Sequence, residues 1–146
     1  MALATGTFDI KELIEEIIPF NRFLGVELRS FDPAGRSVVL ALRLREEHVG
    51  NIVKAIPHGG VVSSLVDAAA GAAAALTLAD LNDAPSVSTI DMRVDYLEPA
   101  RGEELFATAS VARAGRRVVV VRTEVKDASG TLIALGTSTF AVGSRE

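Results

Sequence analysis

The feature that most constrains this chain is a run of small and apolar residues at positions 57–79, PHGGVVSSLVDAAAGAAAALTLA. Eight of the twelve residues from 68 to 79 are alanine, the residue that most favours an α-helix. A helix that is apolar nearly all round is typical of a buried element in a globular protein. A membrane-spanning helix is disfavoured because the run contains Asp67 and two serines, and alanine rather than leucine. The run therefore predicts one long central helix that other elements cover on most sides.

Asp67 is the only formally charged side chain in this run. A charge inside an apolar helix is costly, so the carboxylate is expected to be paired, protonated or functional. His58 and Gly59 open the helix, where free backbone N–H groups can polarise a carbonyl or hold an anion. Asp67 lies nine residues after His58, or about 13 Å along a helix axis. One small reacting group cannot contact both positions of one helix, so the spacing hints at a dimer with shared sites.

Length and composition set the class of protein. A chain of 146 residues with 49% apolar residues predicts one folded domain. The net charge of −4 argues against a general nucleic-acid-binding role, and the absence of cysteine excludes thiol nucleophiles, disulfides and cysteine-ligated zinc. Two histidines are too few for a histidine-based metal site unless carboxylates complete it, and we expect neither a metal nor a cofactor. The first residues lack the basic region and apolar core of a secretory signal, which favours a cytoplasmic protein without a membrane anchor.

Periodicity and turn residues divide the rest of the chain. After a loose tail at 1–8 we expect a helix at 9–18 that Pro19 ends, a short connector at 21–25, and a hairpin of strands 26–31 and 37–44. Residues 45–56 are expected to be irregular, with His48 at the surface. A loop at 82–85 should follow the central helix, and then four strands in a meander, at 86–97, 104–113, 117–126 and 131–142. This order predicts an α+β fold with an antiparallel sheet of five to six strands wrapped around one long helix.

Two segments resemble a known family. The pattern His58-Gly59-Gly60-x-x-x-Ser-Leu-x-Asp67 and the later segment DMRVDYLEPA at 91–100 resemble the hotdog-fold acyl-CoA thioesterases of the phenylacetate-type, PaaI-like subfamily. The resemblance covers about residues 24–142 and implies a single hotdog domain over 1–146, with 1–23 as an N-terminal tail and helix. Asn51 lies seven residues before His58, whereas the better-known members have six. This longer loop resembles a branch associated with medium- and long-chain acyl-CoA.

The resemblance implies roles for five residues. Asp67 would be the catalytic carboxylate, as nucleophile or as general base, and the Gly59 N–H would polarise the thioester carbonyl. His58 would shape the turn and contact the carbonyl region, Asn51 would approach the thioester, and Thr89 would lie beside the carboxylate. Each site would span the interface of a homodimer or of a dimer of dimers. The simpler interpretations are a packed helix-start residue for His58, a turn residue for Asn51 and an ordinary strand residue for Thr89.

The implied reaction is hydrolysis of an acyl-CoA to a free acid and coenzyme A. Arg93, Arg113, Arg116 and Arg117 are candidate contacts for the coenzyme A phosphates, because arginine suits phosphate groups, although charges beside a turn are usually just solvated. Three further functions stay open at this point: a hotdog dehydratase, a thioesterase acting on acyl carrier protein, and a non-catalytic acyl-CoA-binding protein.

Overall fold

The computed structural model describes residues 9–143, so the tail expected at 1–8 lies outside the described residues. Helix α1 (Ile10–Glu12) continues as a π-helix (Leu13–Ile17) and is followed by α2 (Pro19–Leu24). The central helix α3 covers Gly59–Ala75. The strands are β1 (Val26–Asp32), β2 (Ser37–Arg43), β3 (Val49–Asn51), β4 (Ile56–Pro57), β5 (Ser88–Tyr96), β6 (Glu104–Ala114), β7 (Val118–Asp127) and β8 (Leu132–Ala141).

Six of these strands form one antiparallel sheet in the order β1-β2-β6-β7-β8-β5. The antiparallel sheet, the six strands and the single long helix agree with the predicted architecture. The expected meander is confirmed for β6, β7 and β8 but is wrong for β5, which pairs with β8 at the edge of the sheet, while β6 has β2 as its other neighbour. The chain crosses from β5 to β6 past two intervening strands, a distance of about 14 Å. Periodicity predicts which segments are strands, but it carries no information on which strands become neighbours.

Helix α3 packs against the six-stranded sheet, as its composition predicts. Leu65, Val66 and the alanines at 69, 70, 73 and 74 have no or almost no exposed surface. Gly136 on β8 permits the close approach, since a Cβ there would lie 2.5 Å from Val66 Cγ1. Small side chains on both elements therefore bring the helix and sheet backbones together.

The N-terminal segment differs from the prediction at Pro19. Ile18 is extended (φ −75°, ψ 109°), and Pro19 then occupies the first position of α2 instead of only ending the preceding helix. Proline is well suited to that position because its N–H would have no helical acceptor. Glu15 ties the segment to β1 by accepting hydrogen bonds from Lys11 Nζ and from the Leu28 N–H, each at 2.8 Å. Partial burial tends to raise the pKa of Glu15, but these hydrogen bonds outweigh it and lower the pKa.

The segment before α3 is more ordered than predicted. Instead of an irregular stretch it contains a 3-10 turn (Glu46–His48) and the small β3-β4 hairpin. His48, expected at the surface, is buried with 3% of its surface exposed, and its Nδ1 accepts a hydrogen bond from the Arg45 N–H at 3.1 Å. Burial and the nearby Arg45 guanidinium lower the pKa of His48. The loop expected at 82–85 is likewise a 3-10 helix, Leu81–Ser86.

Within residues 9–143, none of the helices combines the length and apolar character needed to cross a membrane.

Candidate active site

Within residues 9–143, one backbone amide at the start of α3 has no hydrogen-bond acceptor. The imidazole Nδ1 of His58 accepts from the Gly60 N–H at 2.8 Å, and the His58 carbonyl accepts from the Val61 N–H at 2.9 Å. The His58 N–H itself donates to the His48 carbonyl at 2.7 Å. Among the described residues no hydrogen-bond acceptor is recorded for the Gly59 N–H, which as the first helical amide has none within the helix. This amide is therefore available to a ligand.

The neighbours of this helix start fix its geometry. Gly50 on β3 packs against His58 so closely that a Cβ at Gly50 would lie 2.6 Å from the His58 Cα. Tyr96 at the end of β5 donates a hydrogen bond from its hydroxyl to the Gly59 carbonyl at 3.0 Å. Because the His58 Nδ1 is an acceptor, a neutral ring carries its proton on Nε2 and can donate from there. A cavity of about 320 Å³ opens beside Gly59, with Tyr96 in its wall.

Asp67 lies two turns further along α3 and is half-buried. The Thr89 hydroxyl on β5 donates to Asp67 Oδ1 at 2.8 Å, so the structure brings these two predicted residues together. Within the described part of the chain, no hydrogen bond to Asp67 Oδ2 is recorded. The hydroxyls of Ser63 and Ser64 donate to the Gly60 carbonyl instead, at 3.1 and 2.7 Å. Thr89 thus orients the carboxylate through one oxygen and leaves the other for a reactant.

Two cavities meet at Asp67. The first, of about 310 Å³, lies between the N-terminal helices and one side of α3 and is mostly apolar. Its walls include isoleucines 10, 14, 17 and 18, Phe140, and the small residues Ala68, Gly71, Ala72 and Ala75. The second, of about 270 Å³, is more polar and is lined by Phe20, Asn21, Ser63, Ser64, Asp67, Ala68, Thr89 and Met92. A carboxylate at the mouth of an apolar cavity of this size is typical of a site for a small organic ligand.

Gly59 and Asp67 do not face the same space in one chain. The cavity beside Gly59 shares no lining residue with either cavity beside Asp67. This separation agrees with the spacing argument made from the sequence, in which one chain cannot bring the helix start and the carboxylate to one reacting group.

Asn51 is not brought to Asp67 in this chain. Its side-chain oxygen accepts hydrogen bonds from the backbone N–H groups of Val53 and Lys54, at 3.2 and 3.1 Å. These contacts close the turn between β3 and β4, as the simpler turn-residue interpretation predicts. Whether Asn51 also contacts a thioester stays a prediction.

The four candidate arginines lie apart from Asp67. Arg113, Arg116 and Arg117 line a separate cavity of about 470 Å³ at the β6-β7 turn. Arg93, on β5, pairs with Asp95, with Nη2 and Oδ1 3.0 Å apart. Between residues 9 and 143 no group of three or more His, Asp or Glu side chains is arranged to hold a metal ion.

A sequence model of the thioesterase superfamily matches residues 56–134, which include the start of α3, Asp67 and Thr89. The chain belongs to the thioesterase superfamily. A relative in this superfamily is the medium/long-chain acyl-CoA thioesterase YigI of Escherichia coli K12. The two chains are 37% identical over an alignment of 144 positions that covers 92% of this chain and 92% of YigI.

Solved structures of other thioesterase superfamily members share the fold. A crystal structure from Shewanella oneidensis superposes with a TM-score of 0.80 at 37% identity and covers 92% of this chain and 93% of that one. A mutant of the phenylacetic acid degradation protein PaaI from Thermus thermophilus gives a TM-score of 0.72 at 26% identity, over 86% and 99% of the two chains. These likenesses confirm the hotdog fold and the resemblance to the PaaI-type thioesterases.

Sequence reasoning missed two residues of this region. Tyr96 lay within the strand that carries the family resemblance, but nothing in its spacing connected it to Gly59. Asn21 is buried beside Asp67, although we expected only a connector there. The apolar residues Ile10, Ile14 and Ile17 recur at helical spacing, and such a stripe needs an apolar surface to pack against. Because the central helix is long enough to supply that surface, the spacing could have predicted that the N-terminal helix lies beside it.

Proposed function

We propose that this protein is an acyl-CoA thioesterase that acts on medium- and long-chain substrates and releases a free carboxylic acid and coenzyme A. The observation that carries the proposal is the Asp67 carboxylate, held by Thr89 at the mouth of an apolar cavity of about 310 Å³. The 37% identity to YigI over 92% of the chain supports this substrate class. The isoleucines and alanines of the cavity suit an aliphatic chain, which they would remove from water.

In the proposed mechanism the Gly59 N–H donates to the thioester carbonyl oxygen. This contact stabilises the negative charge that develops on the oxygen, an effect worth about a hundredfold or more in rate for one donor. Asp67 then activates the attack on the carbonyl carbon. As a general base it takes a proton from water; as a nucleophile it forms an acyl intermediate that water hydrolyses. In both forms the carbon–sulfur bond breaks, and coenzyme A leaves as a thiol.

We also propose that the site is completed by a second copy of the chain, in a homodimer or a dimer of dimers. Three features support this: the separation of the Gly59 and Asp67 cavities, the position of β5 at the edge of the sheet, and the apolar side chains exposed on β5 and on the turn between β3 and β4. Ile52, Val53 and Ile90 are 87%, 90% and 58% exposed. An edge strand with exposed apolar residues is a ready surface for pairing with another chain.

The arginines at the β6-β7 turn are the proposed contacts for the coenzyme A phosphates. Arg113, Arg116 and Arg117 share one cavity, and Arg116 and Arg117 make no recorded ion pair within the described residues. Guanidinium groups in this state can bind phosphate oxygens through two parallel hydrogen bonds. Arg93 is the weaker candidate because Asp95 already engages its guanidinium.

The test is thiol release from a panel of acyl-CoAs, from acetyl to palmitoyl and including phenylacetyl, for the wild type and for Asp67→Asn. We expect turnover that is greatest for medium or long chains and that falls at least about a hundredfold in the variant. A folded Asp67→Asn protein with wild-type turnover would contradict the proposal.

The same panel distinguishes the competing functions. Binding of acyl-CoA without any thiol release would favour a non-catalytic acyl-CoA-binding protein. Turnover of acyl carrier protein thioesters alone would favour a thioesterase for that carrier, and hydration of enoyl-CoA alone would favour a dehydratase. The cytoplasmic location expected from the sequence stays a prediction, which cell fractionation tests.

A further inference from the structure

Asn21 is the most buried polar side chain beside the carboxylate. Only 6% of its surface is exposed, and it lines both the apolar and the polar cavity that meet at Asp67. The two cavities share four residues: Asn21, Asp67, Ala68 and Thr89. Three of the four are polar, so Asn21, Asp67 and Thr89 form a polar ring where the two cavities join.

The side-chain amide of Asn21 makes no recorded hydrogen bond within the described part of the chain. Its backbone carbonyl accepts from the Gly25 N–H at 2.9 Å and ends α2, but that contact does not need an asparagine side chain. Thr89, by contrast, donates to Asp67, so its hydroxyl is already engaged. Among the described residues, the fully enclosed side-chain polar atoms without a hydrogen-bond partner are the hydroxyls of Ser86, Thr123 and Ser138, and the Asn21 amide is not one of them. The Asn21 amide therefore keeps accessible surface, and the residue lines the two cavities, so a molecule that enters them can reach the amide.

The hydrogen-bonding groups of this polar ring indicate which kind of molecule it can bind. The apolar cavity on one side of Asn21 has its polar side chains only at the junction where the carboxylate lies, whereas the second cavity also contains Ser63 and Ser64. An amide carbonyl accepts a hydrogen bond, and so does the carboxylate Oδ2. Two acceptors at one junction suit a small molecule with two hydrogens to donate, and water is the reactant that thioester hydrolysis requires.

We propose that Asn21 is a positioning residue that holds the attacking water against Asp67; this assignment rests on the proposed thioesterase function. The Asn21 side-chain carbonyl accepts one hydrogen of the water, and Asp67 Oδ2 accepts the other. As the water oxygen bonds to the thioester carbon, that second proton passes to Asp67. The carbon–sulfur bond then breaks, the sulfur leaves with the electron pair, and the Asp67 proton passes to it, giving the acid, the coenzyme A thiol and a regenerated carboxylate.

The test compares Asn21→Leu, Asn21→Ser and Asn82→Leu with the wild type on the best acyl-CoA substrate. Asn82 is an exposed asparagine in the 3-10 helix after α3 and lines neither cavity, so it controls for the substitution itself. We expect kcat of Asn21→Leu to fall about tenfold to a hundredfold, as for a misplaced reactant, with KM within about twofold of the wild type. Its Tm should be unchanged or higher. Asn21→Ser, which keeps a hydrogen-bonding group, should retain more of kcat than Asn21→Leu, and Asn82→Leu should match the wild type.

Several results would overturn the assignment. An unchanged kcat in Asn21→Leu would show that the amide has no part in the reaction. A kcat that falls together with Tm would show a structural role, and a rise in KM alone would show contact with the acyl chain instead of water. A wild type that releases no coenzyme A from any substrate would instead contradict the proposed function, and this assignment would fail with it. An active wild type beside an unaffected Asn21→Leu overturns the water-positioning role alone.

Discussion

At the scale of single residues, the hydrogen bond from Thr89 to Asp67 controls the direction of the carboxylate. It engages Oδ1 at 2.8 Å, and this contact decides which oxygen faces the cavities. We predict that Thr89→Val, which keeps the shape but removes the hydroxyl, lowers kcat about tenfold by letting the carboxylate rotate. Thr89 is exposed in the single chain, so Tm should change little. Steady-state kinetics measures the effect, and Thr108→Val, at an exposed position of β6, is the matched control. Equal kcat in both variants would contradict the role of Thr89.

His48 provides a prediction for pH dependence. Burial and Arg45 lower its pKa in the folded protein, whereas the unfolded chain has a pKa of about 6.5. Above about pH 6.5, His48 is neutral in both the folded and the unfolded protein. As the pH falls below that value, the unfolded protein binds a proton at His48 before the folded protein does, and this favours unfolding. One such group changes the free energy of unfolding with a slope of at most about 1.4 kcal/mol per pH unit. We predict that His48→Asn is less stable at pH 7 and loses part of this slope below about pH 6.5.

Urea unfolding at several pH values measures both effects. A variant with the wild-type slope would show that His48 titrates normally in the folded protein.

Asp67 and Gly59 could be predicted because each stands out locally, as the one charge in an alanine run and as a glycine at a helix start. His48 could not, since two glutamates precede it and the sequence there is that of a surface turn. Its burial comes from Arg45 and from the helix start, which His48 supports through its backbone carbonyl. Asn21 was missed for the same reason, because only the folded chain brings α2 to the cavities that Asp67 lines.

At the scale of elements, the N-terminal helices and α3 form the apolar cavity together. Its α3 wall consists of small residues at 68, 71, 72 and 75, which recur on one side of a helix. The alanine content therefore serves two purposes: close packing on the sheet on one side, and space on the other. The sequence does not show which alanines face which side, because a helix that is apolar all round has no distinct apolar face.

Ala75 tests whether this cavity holds the acyl chain. It lines the cavity eight residues after Asp67, or about 12 Å along the helix axis. We predict that Ala75→Leu lowers kcat/KM for long-chain acyl-CoA about tenfold while short chains, which do not extend that far, are hydrolysed as before. Ala34→Leu, at an exposed turn, is the control. A uniform effect on all chain lengths would place the acyl chain elsewhere.

Strand order is the element-level feature that the sequence did not reveal. The lengths of the strands and their turns are local, and the predicted strands agree with the observed ones to within a few residues. The pairing of β5 with β8 joins segments that are distant in the sequence, and such a long-range pairing is a property of the packed chain.

At the scale of the whole molecule, the free edge of β5 is the proposed surface for association. Ile90 lies at an irregularity in the β5-β8 pairing and is 58% exposed. We predict that Ile90→Asp shifts the protein from dimer to monomer and lowers kcat at least about tenfold, because a charge cannot be buried there without a partner. Light scattering coupled to size-exclusion chromatography measures the mass, and Phe31→Asp, exposed on β1 at the opposite edge of the sheet, is a control. A monomeric wild type with full activity would contradict the shared site.

Hydrolysis at a site formed by Gly59 of one copy and Asp67 of another can be tested with a pair of complementary variants. Gly59→Pro replaces the N–H with a ring carbon and breaks no helical hydrogen bond, since Gly59 is the first residue of α3 and His58 already has the extended conformation that proline requires before it. A Cβ at this position would make ordinary contact with the Tyr96 ring, 3.5 Å away. The variant should therefore fold and lose about a hundredfold or more in kcat.

The most direct measurement is the thioesterase activity of Gly59→Pro and Asp67→Asn, alone and after unfolding and refolding as an equal mixture. Each mixed dimer would hold one of its two sites with both residues intact, and about half of the dimers would be mixed. We therefore expect recovery to about a quarter of the wild-type activity from two nearly inactive proteins. Light scattering confirms that the mixture contains dimers. No recovery from dimers that form normally would mean that Gly59 and Asp67 do not act together across two chains, and would contradict the account.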